Sequence, residues 1–170
     1  MVEDLRIRMK FKPKRIFQMR VAGLAFRNGH VLVHRATHEK FWTFPGGRAE
    51  MGEQSQDTLA REMVEELGAE VSVGRLLWVV ENFFHYEGKD WHELGFYYLM
   101  ELPDSFPFDE EAIVHRVQDG KNPLEFRWVK ATTEALTALD IPPYFIASEI
   151  EDLPVTVQHL VWDDRNLDAK

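Results

Sequence analysis

The chain has 170 residues, a hydrophobic fraction of 45% and a formal net charge of −9. This length favours one domain with a substantial core, and the composition excludes a disordered chain. The negative charge argues against non-specific binding to nucleic acid through a general basic surface. Because the chain has no cysteine, no long apolar run and no apolar signal segment, we expect a cytoplasmic protein without a disulfide, a thiolate metal site or a membrane partner.

The first predicted element is a strand from Leu5 to Lys12, in which apolar and basic residues alternate strictly. Period two gives such a strand one apolar and one basic face. Two interpretations of the basic face stay open. It protects an edge strand by positive charge, which is the favoured interpretation, or it forms a wall that attracts phosphate.

The next segments predict a hairpin and then a helix. Residues 17–26 and 31–35 have the composition of strands, and Asn28-Gly29 between them favours a tight turn. A short aromatic run at 41–44 ends at Pro45-Gly46-Gly47, which breaks regular structure. We expect the helix to begin near Ser55 as its N-cap and to end at Gly68 as its C-cap.

The remainder predicts further strands and a short helix. After the helix we expect one bent strand or two over 71–84, a turn at 85–90, a strand over 91–102, an ambiguous segment at 112–117, a turn at 119–123, a strand over 124–129, and a helix capped by Thr132 or Thr133 that runs to Leu139. The following tail to Lys170 is expected to fray. Strands with a few interleaved helices predict an α+β fold with a mixed sheet and helices packed on it.

The predicted helix has one apolar and one acidic face. Its apolar residues recur three or four apart, and Glu62, Glu65 and Glu66 recur at the same spacings on the other side. Three carboxylates within about one turn repel one another unless a cation lies among them. The face is therefore either a solvated acidic surface or a site for a hard divalent cation.

The residues around this helix decide between the two interpretations. Gly47 is followed after five residues by Glu53, and after seven more by Arg61-Glu62-Met63, Glu65-Glu66, Gly68 and Ala69. This 23-residue box, from 47 to 69, resembles the signature of the Nudix hydrolases in every charged and glycine position. Ala69 is the one departure, since a larger aliphatic residue is usual there. The segments around the box extend the resemblance over roughly residues 15–152.

The resemblance implies a fold and a set of roles. The fold is a Nudix-like α/β/α sandwich with the box as loop-helix-loop, in a single domain over residues 1–170 with its core at about 15–152. Glu62, Glu65 and Glu66 would bind Mg²⁺, with Mn²⁺ as a substitute, and the Gly47 carbonyl could join them. Glu53 and Arg61 would pair to hold the loop on the helix. The family generally cleaves a diphosphate linkage in a nucleoside diphosphate joined to another group.

The chemistry needed for that cleavage suggests further candidates. A carboxylate that is not fully engaged by metal can accept the proton of the attacking water. Inside the box this would be Glu65 or Glu66; later acids that could serve instead are Glu110, Glu111 and Glu125, with Glu93 a more remote choice. The candidates for substrate contact are Arg35 as a phosphate clamp and Trp42, Phe44 and Tyr86 as stacking rings.

The sequence thus predicts a metal-dependent hydrolase of a small nucleotide-type substrate, by attack of water at phosphorus. Nucleoside triphosphates, dinucleoside polyphosphates and nucleotide sugars all satisfy this description. The alternative is a catalytically silent nucleotide-binding or regulatory module with the same fold. No stable nucleic-acid partner is expected, and an edge strand with an aromatic-rich hairpin is compatible with a homodimer.

Overall fold

The computed structural model describes residues 4–120 and 122–165. Their elements, in chain order, are β1 (Arg8–Phe11), β2 (Arg15–Arg27), β3 (His30–Ala36), β4 (Gly46–Arg48), α1 (Ser55–Leu67), β5 (Ser72–Tyr86), β6 (Lys89–Glu101), β7 (Ile113–Asp119), β8 (Asn122–Lys130), α2 (Thr133–Ala138), α3 (Phe145–Glu149) and β9 (Gln158–Asp163).

The long strand β2 organises the mixed sheet, whose order is β7-β8-β3-β2-β6-β5-β9. It pairs in parallel with β6 from Arg15 to Ala25 and antiparallel with β3 at its last two residues. The short strands β1 and β4 pair antiparallel with earlier parts of β2. One strand therefore brings the basic N-terminal strand and the glycine-rich start of the box to the same region.

Side chains alternate between the two faces of this sheet and form two cores. On β2, Val21 and Ala25 pack in the core that contains Leu59 and Met63 of α1. Ala22 and Leu24 pack in the other core, with residues of α2 and α3. Helices thus cover both faces, and the predicted α+β fold with a mixed sheet between helices is confirmed.

The helix α1 ends where its sequence predicts. Gly68 adopts the left-handed conformation, with φ 63°, and its N–H donates to the Val64 carbonyl. The prediction of Ser55 as N-cap was wrong, because Gln54 occupies that position and makes no side-chain cap. The Ser55 hydroxyl instead lies 2.7 Å from the Tyr98 hydroxyl of β6. The Ser55 hydroxyl, which the capping rule assigns to the helix backbone, is therefore engaged by Tyr98 of the sheet instead.

The largest difference from prediction lies after residue 144. That tail does not fray within the described residues, because α3 packs in the core and β9 pairs in parallel with β5 from Trp78 to Phe83. The segment predicted over 71–84 is one strand, Ser72–Tyr86, with two register shifts, and the ambiguous segment is strand β7. The turn expected over 85–90 is much tighter, since β5 and β6 extend to Tyr86 and Lys89.

Candidate active site

The loop that enters α1 is fixed by one arginine. The Arg61 guanidinium binds both carboxylate oxygens of Glu53, at 2.8 and 3.0 Å, and donates to the Arg48 carbonyl at 3.1 Å. The Thr58 hydroxyl also donates to Glu53, at 2.7 Å. These bonds join the box loop to the helix in the arrangement expected for Glu53 and Arg61.

This pairing shifts the ionisation of both groups. The hydrogen bonds from Arg61 lower the pKa of Glu53 to about 2, and the carboxylates raise the pKa of Arg61. Both side chains are largely screened from solvent, with 17% and 25% exposed. Charge-assisted bonds at such a site hold the loop more firmly than an exposed surface pair would.

Exchange of Glu53 for Gln should therefore destabilise the protein in a pH-dependent way. At pH 7 we expect the free energy of unfolding to fall by about 1–2 kcal/mol. The folded-state pKa near 2 lies below the unfolded value of 4.5, so the stabilisation is fully present above pH 4.5 and is lost as the pH falls towards 2. Urea denaturation between pH 7 and pH 3, with Glu70→Gln as an exposed control, measures this. A difference that stays constant over that range would contradict the assignment.

The three glutamates of the acidic face have different surroundings. Glu62 lies 2.9 Å from Arg61, and Glu65 is 58% exposed with Arg61 at 3.4 Å. Glu66 is 6% exposed, and its Oε2 atom has no hydrogen-bond partner. Burial raises the pKa of Glu62, the neighbouring Glu66 and Glu65 act in the same direction, and the hydrogen bond from Arg61 opposes them.

Gly47 lies directly against one of these carboxylates. A Cβ atom at this residue would come 2.1 Å from the Glu62 Cδ atom and 2.3 Å from both carboxylate oxygens. Only glycine leaves room for the carboxylate there. The box glycine thus places backbone and carboxylate side by side, as a shared cation would require.

The donor chemistry of this site fits a hard divalent cation. Carboxylate and carbonyl oxygens are the preferred ligands of Mg²⁺, and the buried Glu66 oxygen without a partner is the kind of atom that a cation would satisfy. Across residues 4–120 and 122–165, however, no three His, Asp or Glu side chains are already gathered around one point. Arg61 holds Glu62 and Glu65 instead, so the metal ligands stay a prediction.

Exchange of Gly47 for Ala tests this close approach. Gly47 does not have a positive φ, and the three atoms nearest to an added Cβ all belong to the Glu62 carboxylate, which can rotate away. We expect a nearly unchanged melting temperature and a kcat about 10- to 100-fold lower, since a small misplacement of a reacting group has such effects. Gly74→Ala in β5, whose nearest contact would be 3.3 Å, is the matched control. Full activity in Gly47→Ala would contradict a role for Glu62.

Two residues predicted as separate candidates form a pair. Arg35 on β3 donates to Glu125 on β8, with nitrogen-to-oxygen distances of 2.7 and 2.8 Å. The Arg35 guanidinium also lies over the Trp42 ring, 4.5 Å from its centroid. Trp42 is 5% exposed and Phe44 is 1% exposed, so both rings belong to the core. The prediction that Phe44 stacks on substrate is wrong in this structure, because neither face of its ring is open.

The remaining predicted contacts lie away from α1 or on the surface. The Tyr86 hydroxyl donates to Glu39, its ring contacts Phe41 edge to face, and its pKa is raised by burial and by that carboxylate. Glu110 and Glu111 are exposed in the loop before β7. None of these three is brought to the acidic face by a contact within the described residues.

The sequence reasoning missed one residue beside the acidic face. His34 of β3 is 6% exposed, and its Nδ1 atom lies 3.5 Å from the Glu66 Oε2 atom. Strand alternation puts His34 on the same face as the buried Leu32. A polar residue at a core-facing strand position was the available signal.

A depression of about 510 Å³ borders the exposed side of this site. It is lined by Ala60, Arg61, Val64, Glu65, Glu70 and Val71. Its position beside Arg61 and Glu65 leaves space for a ligand next to the acidic face.

The family model that describes the NUDIX domain matches residues 17–140 of this chain. The chain belongs to the NUDIX family. The match includes the whole box and most of the sheet. Within residues 4–120 and 122–165, no helix is both long enough and apolar enough to span a bilayer.

Curated relatives share parts of this NUDIX chain. A putative ADP-ribose pyrophosphatase, YjhB of Bacillus subtilis, is 34% identical over 65 residues, which are 38% of this chain and 31% of that protein. Diphosphoinositol polyphosphate phosphohydrolase 2 of Rattus norvegicus is 36% identical over 85 residues, 44% of this chain and 48% of the relative. The alignments thus span about a third to a half of the relatives' lengths.

Solved NUDIX structures share the fold. The MutT protein of Bacillus halodurans has a TM-score of 0.57 at 19% identity, with 86% of this chain and 90% of that chain covered. A UDP-X diphosphatase has a TM-score of 0.58 at 18% identity, with 84% and 66% covered. At this level of identity the likeness concerns the fold alone.

Proposed function

We propose that this protein is a divalent-metal-dependent hydrolase that cleaves a diphosphate linkage in a small nucleotide-type substrate by attack of water at phosphorus. The observation that carries the proposal is the intact acidic face of α1, with Gly47 packed against Glu62 and the buried Oε2 atom of Glu66 without a hydrogen-bond partner. A purely structural helix gains nothing from that arrangement, because clustered and unsatisfied carboxylates are destabilising.

The box residues have three separate roles in this proposal: they fix the loop, bind the cation and accept a proton. Glu53 and Arg61 fix the loop, so that the Gly47 backbone and the Glu62 carboxylate stay adjacent. Glu62, Glu65 and Glu66 would hold the cation, which would be Mg²⁺ with Mn²⁺ as a substitute. When bound, the cation neutralises phosphate oxygens and lowers the pKa of water. A glutamate oxygen outside the coordination set, on Glu65 or Glu66, takes the proton from the attacking water.

The candidate substrates come from two sources, the sequence and the names of the relatives. Nucleoside triphosphates, dinucleoside polyphosphates and nucleotide sugars remain the candidates from the sequence. The names of the relatives add ADP-ribose and diphosphoinositol polyphosphates to the set. All share a phosphoanhydride beside a second group. The expected homodimer and the cytoplasmic location stay predictions.

The test is a panel of these five substrate classes with Mg²⁺, in which released phosphate is measured after a phosphatase is added. We expect at least one substrate to turn over with a kcat/KM near 10⁴ M⁻¹ s⁻¹ or higher. Binding of a nucleotide without turnover under either metal would instead favour the catalytically silent module. Neither binding nor turnover across the panel would contradict both.

A further inference from the structure

We propose that Arg8, Arg20 and Arg48 form an anion site on the face of β4 opposite the box glutamates. This site binds a phosphate group that the substrate carries in addition to the diphosphate that is cleaved. The inference rests on the proposed function, and it names a substrate class: molecules with phosphate at two separated positions.

The strand register puts the three arginines on one face of the sheet. Arg8 of β1 pairs with Gln18 of β2, and Arg20 of β2 pairs with Arg48 of β4. Residues in register on neighbouring strands share a face, and so do Gln18 and Arg20, two residues apart on one strand. Three guanidinium groups from three strands therefore converge on the same surface, and all three residues are partly exposed.

The three arginines of this surface have no direct ion-pair partner among the described residues. Over the described ranges 4–120 and 122–165, no carboxylate lies within ion-pair distance of Arg8, Arg20 or Arg48. The chain has a net charge of −9, so the charge of this cluster is opposite in sign to that of the whole chain. Arg6 lies nearby but has Asp4 at 3.2 Å, so it is not part of the proposed site.

Burial lowers the pKa of Arg48, and the charges of Arg8, Arg20 and Arg6 lower it further, while Glu93 opposes them. Like charges gathered at this density are destabilising by themselves. A bound phosphate group would add attraction between its negative charge and each arginine, which would offset the repulsion among the arginines. The cluster is thus suited to an anion that arrives with the ligand.

A buried polar chain fixes Arg48 in this cluster. Its Nε atom donates to the Gln18 side-chain oxygen at 2.9 Å, and the Gln18 amide donates to Glu93 at 2.5 Å. Gln18 is 6% exposed and Glu93 is 5% exposed. Because the Nε donor is engaged, the outer nitrogens of the guanidinium are directed away from Gln18, where they can meet phosphate oxygens as a fork.

The other two arginines are also oriented. The Arg8 guanidinium lies over the Trp91 ring, 5.1 Å from its centroid, and its buried Nε atom has no hydrogen-bond partner. Arg20 donates one bond to the Phe44 carbonyl, at 3.1 Å. Each guanidinium has five N–H donors; among the described residues, Arg20 uses one of them in a protein hydrogen bond and Arg8 uses none.

Arg48 connects this surface to the box. Its backbone carbonyl accepts the bond from Arg61, whereas its side chain lies on the opposite side of β4 from the carboxylate beside Gly47. Only this three-residue strand separates the two sites. A substrate that contacts both the arginine cluster and the box glutamates must extend past β4. Its two phosphate-bearing groups must therefore be separated by at least the width of this strand.

The location of Arg20 and Arg48 also bears on the two interpretations of the basic face of β1. The sequence favoured charge protection of an edge strand over a phosphate-attracting wall. The structure turns that basic face towards the same surface as Arg20 and Arg48. A wall that continues over three strands is better explained by a ligand than by protection of one edge.

Calorimetric titration with inorganic tripolyphosphate, in the presence of EDTA, tests the site without any turnover. We expect the wild type to bind, and Arg8→Gln, Arg20→Gln and Arg48→Gln each to bind about tenfold more weakly or worse. Arg48→Lys should recover part of the loss because the charge remains. Lys130→Gln, an exposed residue at the end of β8, removes one positive charge elsewhere and should bind like the wild type.

Kinetics separate a substrate phosphate from a free anion. With a panel substrate that has a phosphate remote from the anhydride, Arg20→Gln should raise KM about tenfold; with one that lacks it, KM should stay unchanged. Equal tripolyphosphate binding by all variants, or none by the wild type, would overturn the inference. Arginine-dependent binding without hydrolysis of any panel member would overturn the proposed function and leave the anion site standing.

Discussion

Removal of divalent metal with EDTA should lower the rate of hydrolysis by about a thousandfold or more, and Mg²⁺ or Mn²⁺ should restore it. The physical reason is charge. Glu62, Glu65 and Glu66 present three carboxylates to an anionic substrate, and Arg61 is the only cationic side chain within ion-pair distance of them, His34 aside, in the part of the chain that the structure describes. Without a cation, substrate phosphates and these carboxylates repel one another.

The same experiment has a structural control. Glu62, Glu65 and Glu66 belong to neither hydrophobic core, so EDTA should leave the circular dichroism spectrum unchanged. Added Mg²⁺ should raise the melting temperature, because a ligand that binds only the folded state stabilises it, by about 2.7 kcal/mol at a concentration of 100 Kd. Hydrolysis that persists at full rate in EDTA would contradict the role of the acidic face.

Exchange of Glu66 for Gln should lower kcat by about 10²- to 10⁴-fold, the usual contribution of a positioned acid or base. The same substitution should leave the protein as stable as the wild type or make it more stable. Glu66 is buried, its Oε2 atom has no hydrogen-bond partner, and an unsatisfied buried carboxylate is costly. Loss of activity without loss of stability is the signature of a residue retained for function.

The control for this variant is Glu101→Gln, an exposed acid at the end of β6. It changes the same charge and should keep wild-type kcat. Steady-state kinetics and thermal unfolding of both variants complete the comparison. Full activity in Glu66→Gln would remove Glu66 from the site, and strong destabilisation would assign it a structural role.

The local sequence predicted the box well because its signals are local. The helix period and the C-cap glycine depend on neighbours within a few residues, and the structure has α1 from Ser55 to Leu67 with Gly68 as cap. The pairing of Glu53 with Arg61, eight residues apart, follows from the same short segment. Such features need no knowledge of the sheet.

The parts that prediction missed depend on distant partners. Strand β9 is paired with β5, about 80 residues earlier, and the sequence of residues 158–163 does not indicate which strand it pairs with. Phe44 was indistinguishable in sequence from an exposed aromatic, because its burial comes from strands and helices that pack around it. His34 and the arginine cluster emerged only when the register of β1 to β4 and β8 was known.

The most direct test of the account is hydrolysis in water enriched in ¹⁸O, with Mg²⁺ and the best substrate of the panel, followed by mass spectrometry of both products. The account predicts one ¹⁸O atom per turnover in a single phosphate product, since water attacks phosphorus and the anhydride bond breaks. Glu66→Gln should slow the incorporation of label by about the same factor as kcat. Label in a carbon-bound hydroxyl, or turnover that needs neither Mg²⁺ nor Glu66, would contradict it.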